Sequence, residues 1–199
     1  MAKRGFDILF TVPGLVLLAP LFAFVAVWIK LDSSGPVFFR QVRVGQNGRP
    51  FRIYKFRTMC MEAEARGRQI TVGEDPRITA SGRLLRKYKL DELPQLINVL
   101  MGDMSLVGPR PEVPRYVSLY PDSVRDVVLS VKPGITDRAS IEYRDENKVL
   151  GAAADPDRAY VEEIMPVKLG YYVRYVQERS LWIDIKLVFA TLWALLGKR

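Results

Sequence analysis

Histidine is absent from this 199-residue sequence, and cysteine occurs once, at Cys60. The first absence excludes Ser-His and Cys-His couples and every histidine-bearing zinc site. The second excludes an internal disulfide and makes a reducing compartment the simpler setting. Internal repeats and low-complexity tracts are missing too. Any catalysis must therefore run on carboxylates, Lys, Arg, Tyr, hydroxyls or a hard metal ion. Charge leans one way, with 30 Lys+Arg against 22 Asp+Glu and a formal net charge of +8. Such a balance calls for an anionic partner: nucleic acid, phospholipid headgroups or a phosphorylated substrate. The length suits one domain with attachments, enough to bury a core.

From Ile8 to Ile29, "ILFTVPGLVLLAPLFAFVAVWI" carries no charge at all. At helical rise this is roughly 33 Å, enough to cross a bilayer core. A cleaved signal peptide would share the basic start, but the apolar run is long and lacks a small-x-small site before the polar region. A fully buried soluble helix of this length without a charge is uncommon in a small domain. The two remaining readings are a spanning helix and a re-entrant one. Lys3 and Arg4 precede the run and the basic body follows from Lys30; basic flanks prefer the cytoplasmic side. If both flanks stay there, the segment turns back inside the membrane. Pro20 then supplies the break, with Pro13-Gly14 as a second weak point. At the other end, "SLWIDIKLVFATLWALLGKR" places Trp182 and Trp193 on a mostly apolar helix closed by Lys198 and Arg199. It is short for a span, and its aromatics and terminal cations suit the membrane interface. A core-packing C-terminal helix is the competing reading.

Between these ends, Ser33-Ser34-Gly35-Pro36 marks a turn. "VFFRQVRVG" and "FRIYKFRTM", split by Gly45-Gln46-Asn47-Gly48, read as a β-hairpin. Residues 60–67 look helical and "GRQITVGEDPRIT" looks like a loop. Ser81 is the expected cap of "GRLLRKYKL", whose Leu84, Leu85 and Tyr88 share a face. Leu93, Leu96, Ile97 and Leu100 then predict a helix ending at Gly102. Pro94 fits only a first turn, which puts the helix start at Asp91 or Glu92.

An aspartate there is most simply an N-cap, worth about 1 kcal/mol. Its neighbours point further. Two adjacent carboxylates, Asp91 and Glu92, suit Mg²⁺, which takes oxygen ligands and shares them with substrate phosphates. Arg83, Arg86, Lys87 and Lys89 precede the acids, and Arg110 follows between Pro109 and Pro111. A guanidinium grips phosphate oxygens with a fork that lysine lacks. The constellation reads as a metal-assisted phosphoryl-transfer site. Lys55 and Arg57 either join it as phosphate ligands or form a solvated strand edge.

Taken in order, "KRGFD", "SSGPVFFRQVRVGQNGRPFRIYKFRTM", "SGRLLRKYKLDELPQLINVLMGDMSLVGPRPE", "KPGIT" and "SLWIDIKL" resemble the monotopic phosphoglycosyl transferases, bacterial sugar transferases that start surface-glycan assembly. The resemblance implies an α+β fold: a small cytoplasmic catalytic domain with a short hairpin and several helices, a re-entrant membrane helix and interfacial amphipathic helices. The implied divisions are 1–32, 33–179 and 180–199. The implied reaction moves a sugar-1-phosphate from a UDP-sugar to a polyprenyl (undecaprenyl) phosphate, releasing UMP. It uses Mg²⁺ at the cytoplasmic face of the bacterial inner membrane. Asp91 would be the nucleophile, forming an acyl-phosphate, and Glu92 would help hold the metal. Lys55, Arg57, Arg86 and Arg110 would bind phosphates; Thr136, Asp137 and Arg144 would contact the donor. Lys3, Arg4, Trp182 and Trp193 would anchor the protein among membrane lipids, and a homodimer is a compatible assembly.

Three stretches depart from the family pattern. Ala19 stands before the central proline where many relatives carry Ser, so Pro20 bends the helix with less help. "PGITDRASIEYRDEN" is more charged than the usual continuation, which leaves the donor open, an N-acetylated amino sugar being the class expected. Residues 149–170 receive no chemistry. Two other classes compete with the enzyme: a membrane-tethered binder of polyanions or nucleic acid, and a scaffold without catalysis. The first predicts dispersed cations with stacking aromatics, whereas here the cations converge on an acidic pair that repels a nucleic-acid backbone. The second gives no reason for Asp-Glu beside Pro-Arg-Pro.

Overall fold

The computed structural model describes residues 2–61, 75–142 and 150–196. Helix α1 runs unbroken over Ala2–Asp32 with Pro13 and Pro20 inside it. Helical geometry thus continues through Pro20, the position expected to bend the segment. A proline deletes one backbone hydrogen bond while its neighbours keep theirs, so it acts as a kink point within one helix. Asp7, Thr11, Val25 and Ile29 form the buried stripe of α1. Leu9, Val16, Leu17, Phe24 and Leu31 on its other sides are exposed. Among the described residues α1 is the one helix long and apolar enough to cross a membrane.

Both ends of α1 are bonded to the rest of the chain. Near the start, Lys3 Nζ lies 2.6 Å from Asp184 Oδ2, and Arg4 donates to the Val99 and Leu100 carbonyls. Asp7 Oδ1 accepts from Ser105 Oγ at 2.9 Å and from the Leu106 amide at 3.1 Å. At the far end, Asp32 Oδ2 accepts from the Ser81 amide and hydroxyl at 2.9 and 2.7 Å. Val25 and Ile29 pack there against Phe56 and Leu85.

The hairpin forms as expected. β1 (Phe38–Val44) pairs antiparallel with β2 (Pro50–Phe56), from Phe38 opposite Phe56 to Val44 opposite Pro50. Asn47 and Gly48, with φ of 55° and 75°, turn the chain. Helix α2 (Ala80–Lys87) is capped by Thr79, whose side chain accepts from the Gly82 amide. Ser81, the expected cap, sits buried inside the first turn on Asp32. The helix expected over 60–67 lies almost wholly outside the described residues.

After α2, Lys89 takes a left-handed conformation (φ 57°) and a 3₁₀ turn covers Leu90–Glu92. Helix α3 (Gln95–Met101) comes next, with Pro94 at its N-cap and Gly102 (φ 94°) ending it. The acidic pair thus precedes α3 instead of opening it. Leu93 and Pro94, which link the 3₁₀ turn to α3, are both in the right-handed helical region (φ −57° and −61°).

Two three-residue strands escaped the sequence reading. β3 (Ser105–Val107) and β4 (Gly134–Thr136) pair in parallel, Ser105 opposite Gly134 and Val107 opposite Thr136. Because the strands are parallel, their C-terminal ends share one edge: Pro109-Arg110-Pro111 leaves β3 there, and Asp137 leaves β4. Short helices α4 (Pro114–Val117) and α5 (Asp122–Leu129) lie between these strands in the chain, and α6 (Arg138–Glu142) and α7 (Pro156–Ala159) follow them. A π-helical turn, Tyr160–Ile164, leads into α8 (Met165–Glu178), and α9 spans Leu181–Leu196. Val113, Tyr116, Val128, Leu150, Tyr160, Ile164, Leu169 and Tyr172 belong to the largest core cluster. Leu150, Tyr160, Ile164, Met165 and Leu169, from the stretch that carried no predicted chemistry, are thus core residues. The expected α+β organisation holds in its coarse form: a helix-rich chain, two small sheets and one long apolar N-terminal helix.

Candidate active site

Asp91 and Glu92 are neighbours in sequence and opposites in bonding. Glu92 Oε1 lies 2.7 Å from Lys55 Nζ on β2, and its Oε2 lies 3.2 Å from Arg110 Nη1; Arg110 Nη2 also binds Oε1. Asp91 is buried, and its Oδ1 has no hydrogen-bond partner among the described residues. The 3₁₀ turn causes the difference. It sends Glu92 toward β2 and the Pro-Arg-Pro segment, whose prolines fix the backbone around Arg110.

Electrostatics separate the pair further. Burial, then the Glu92 charge, push the Asp91 carboxyl above its ordinary range, against Lys55, Arg86 and Lys89. Burial would raise Glu92 as well, but Arg110 and Lys55 outweigh it and hold that carboxyl well below the usual range. Arg110 is raised in turn by Glu92. Lys55 is lowered by burial, with Glu92 opposing. Two adjacent acids pushed apart in this way can take different roles.

Burial lowers the Arg86 guanidinium in the last turn of α2, with the Asp91 charge opposing, and its Nε donates to Thr58 Oγ1 at 2.8 Å. Asp137 is buried at the end of β4, and Ser140 donates to it from its amide at 2.9 Å and its hydroxyl at 2.5 Å. Burial pushes its carboxyl up; Arg110 and Lys168 oppose this. Lys55 and Arg110 therefore bond Glu92 directly, while Arg86 acts on Asp91 and Asp137 on Arg110 through charge. Other predicted residues do neither. Arg57 is buried and spent on main-chain carbonyls at the end of α1: Ile29 at 3.4 Å, Ser33 at 2.7 Å, and Ser34. It is neither a phosphate ligand nor a solvated edge. Thr136 bonds the Thr191 hydroxyl of α9. Arg144 lies outside the described residues. Lys3 and Arg4 hold protein groups. Trp182 and Trp193 are 63% and 80% exposed.

Bracing residues were missed. Arg43 donates to the Pro111 carbonyl at 3.0 Å and sits 3.6 Å from Glu112, which also accepts from the Tyr160 hydroxyl at 2.5 Å. This props the Pro-Arg-Pro segment from behind. Glu112 stood in the "GPRPE" block, but its partner Tyr160 is 48 residues away and left no local signal.

No group of three or more His, Cys, Asp or Glu side chains clusters as a metal cage among the described residues. The dyad offers carboxylate oxygens alone, one of them unpartnered. That donor set fits Mg²⁺, which is held by one or two carboxylates and completes its shell with water and substrate phosphates.

A family profile described as bacterial sugar transferase matches residues 1–198. The UDP-N-acetylgalactosamine-undecaprenyl-phosphate N-acetylgalactosaminephosphotransferase of Aeromonas hydrophila is 42% identical over 196 residues, covering 98% of this chain and 43% of that protein. The UDP-glucose:undecaprenyl-phosphate glucose-1-phosphate transferase of Escherichia coli (strain K12) is 40% identical over 197 residues, covering 97% and 40%. The exopolysaccharide production protein ExoY of Sinorhizobium fredii is 34% identical over 207 residues, covering 96% and 84%. The chain spans about two fifths of the length of the first two.

Proposed function

The chain belongs to the bacterial sugar transferases, and from that premise we propose that it moves a sugar-1-phosphate from a UDP-sugar to undecaprenyl phosphate, releasing UMP. The observation that carries the chemistry is the contrast within the dyad: Glu92 bound by two cations, Asp91 Oδ1 without a hydrogen-bond partner among the described residues.

Asp91 is the nucleophile. Its free oxygen attacks the donor phosphorus that bears the sugar; a P–O bond forms to the carboxylate and the P–O bond to UMP breaks. The undecaprenyl phosphate oxygen then attacks the same phosphorus, and the carboxylate leaves. Carboxylates are established nucleophiles for phosphoryl groups. The second attacker is already anionic, so neither step needs a general base and the missing histidines cost nothing. Lys55, Arg86 and Arg110 offset charge on the transferred group, where most of the catalysis of such reactions arises. Asp91 and Glu92 are the residues that would hold Mg²⁺, which when bound neutralises phosphate charge.

The acceptor's phosphate lies at headgroup depth, so the site belongs at a membrane surface. The proposed topology is re-entrant, with residues 33–179 as the catalytic domain on the cytoplasmic face. Hydrogen bonds from both ends of α1 to one body support it, because a spanning helix would carry one end to the far side.

The test is UMP release from a panel of UDP-sugars with Mg²⁺ and undecaprenyl phosphate. Trapping with donor labelled in the sugar phosphate should place the adduct on Asp91. Turnover without UMP release, or an adduct on another residue, would overturn the reading.

A further inference from the structure

Lys55 reaches Glu92 from β2, and the dyad leads into α3, so the way β2 lies against α3 sets that ion pair. Along one edge β2 is bonded to β1. On the side of α3, Ile53 packs with Val99 and Met104. Apolar packing is non-directional and by itself does not choose a register. A shift of β2 by one residue, about 3.3 Å, would bring Tyr54 or Phe56, from the opposite face, to the place of Lys55.

Asn98 removes that freedom. It is fully buried on α3, and its side-chain amide is bonded to the main chain of β2. Its Oδ1 accepts from the Tyr54 amide at 2.8 Å, and its Nδ2 donates to the Arg52 carbonyl at 3.0 Å. One planar group thus binds an amide and a carbonyl two residues apart, as a neighbouring strand would. Nδ2 also donates to Asp103 Oδ2 at 3.3 Å. The Asn98 main chain is held too, its carbonyl accepting from the Gly102, Asp103 and Met104 amides at 3.0, 3.0 and 3.2 Å. Toward the dyad, the amides of Ile97, Leu96 and Leu93 donate to the carbonyls of Pro94, Leu93 and Leu90 at 3.0, 3.1 and 3.2 Å. β2 and the dyad segment are therefore joined at two polar points: Asn98 on Arg52 and Tyr54, and Glu92 on Lys55.

We propose that Asn98 is a positioning residue for the transfer: its amide fixes the register of β2 against α3, and that register delivers Lys55 to Glu92. Its amide is spent on β2 and Asp103, so it acts on the chemistry through Lys55. The link to turnover rests on the reading of Asp91 and Glu92 as the reacting dyad; the register itself does not.

Three measurements on the full-length chain in nanodiscs test this. In the wild type the Tyr54 amide should exchange with solvent at least ~10²-fold more slowly than an unprotected peptide amide. Exchange at the unprotected rate would overturn the proposal even if every Asn98 variant failed to fold. The second measurement follows the Lys55 ammonium resonance, assigned by its loss in Lys55→Met. It should be sharp in the wild type and broadened by solvent exchange in Asn98→Ala. Asn98→Asp, which keeps the shape and the acceptor for Tyr54 but loses both donors, should broaden it less. An unchanged resonance in folded Asn98→Ala would refute the delivery of Lys55. The third is UMP release. Asn98→Ala should lower kcat by about tenfold, within the loss of about 10²-fold that a misplacement of about 1 Å brings. In the Lys55→Met background Asn98→Ala should cost nothing more, and a full additional loss there would overturn the proposal. The first two measurements need no donor, which keeps their failure distinct from failure of the proposed activity.

Discussion

Lys3 and Asp184 are 181 positions apart and form an ion pair of 2.6 Å. The pair joins the first turn of α1 to the first turn of α9, and Tyr175 adds a hydrogen bond of 2.8 Å to the same carboxylate. Asp184 is 1% exposed, so the aspartate of "SLWIDIKL" belongs to the anchoring of the N-terminus. Lys3 is partly solvated, which limits the worth of the pair. Asp184→Asn should destabilise the protein by about 1–2 kcal/mol, visible as a lower Tm in detergent. Cysteines introduced at residues 2 and 33 should label from the same side of sealed vesicles. Labelling from opposite sides would make α1 a spanning helix.

Asp91→Asn should reduce turnover by about 10³-fold or more, the scale of losing a nucleophile. The same change should raise Tm. Burial and Glu92 lift the Asp91 carboxyl above its unfolded value, so its ionised form works against folding once pH exceeds that unfolded value. Asparagine removes the charge and keeps the shape. A variant that is inactive and less stable would contradict the assigned environment.

Glu92 titrates in the opposite direction. Its depressed carboxyl contributes stability that is present above the unfolded value and is lost only as pH falls through the strongly acid folded value. Acidification should therefore remove activity before it removes this contact. The acid limb of kcat/KM should fall above the ordinary carboxylate range, set by Asp91, while the folded protein persists. Glu92→Gln should lower Tm, since it leaves the half-buried Lys55 and Arg110 without their counter-charge.

Trp193, 80% exposed on α9 beside exposed Phe189 and Leu192, faces away from the core. Trp193→Glu should leave Tm unchanged and weaken binding of the detergent-purified protein to anionic lipid vesicles several-fold. Unchanged binding would assign that face another role.

Local chemistry made part of this protein legible. Gly102 ends α3 where the sequence places it because only glycine takes φ 94° without strain. The hairpin was readable for the same reason, its turn residues lying between two β-branched and aromatic runs. Arg57 was misread because its partners, the carbonyls of Ile29, Ser33 and Ser34, exist as a site only once α1 has ended against β2. The pairing of β3 with β4 left no trace, since three-residue strands have too little alternation to detect.

The sequence by itself determined the chemistry on offer: a long uncharged segment, no histidine, and an acid pair set among arginines. It also determined which family the chain joins, because such blocks recur in order. Only the tertiary structure decided which acid keeps an oxygen without a hydrogen-bond partner among the described residues. Asp91 and Glu92 differ by one methylene and stand side by side; what separates them is that Lys55 and Arg110, from a distant strand and a proline-framed loop, converge on Glu92 alone. Long-range packing assigns charge partners, and charge partners assign roles.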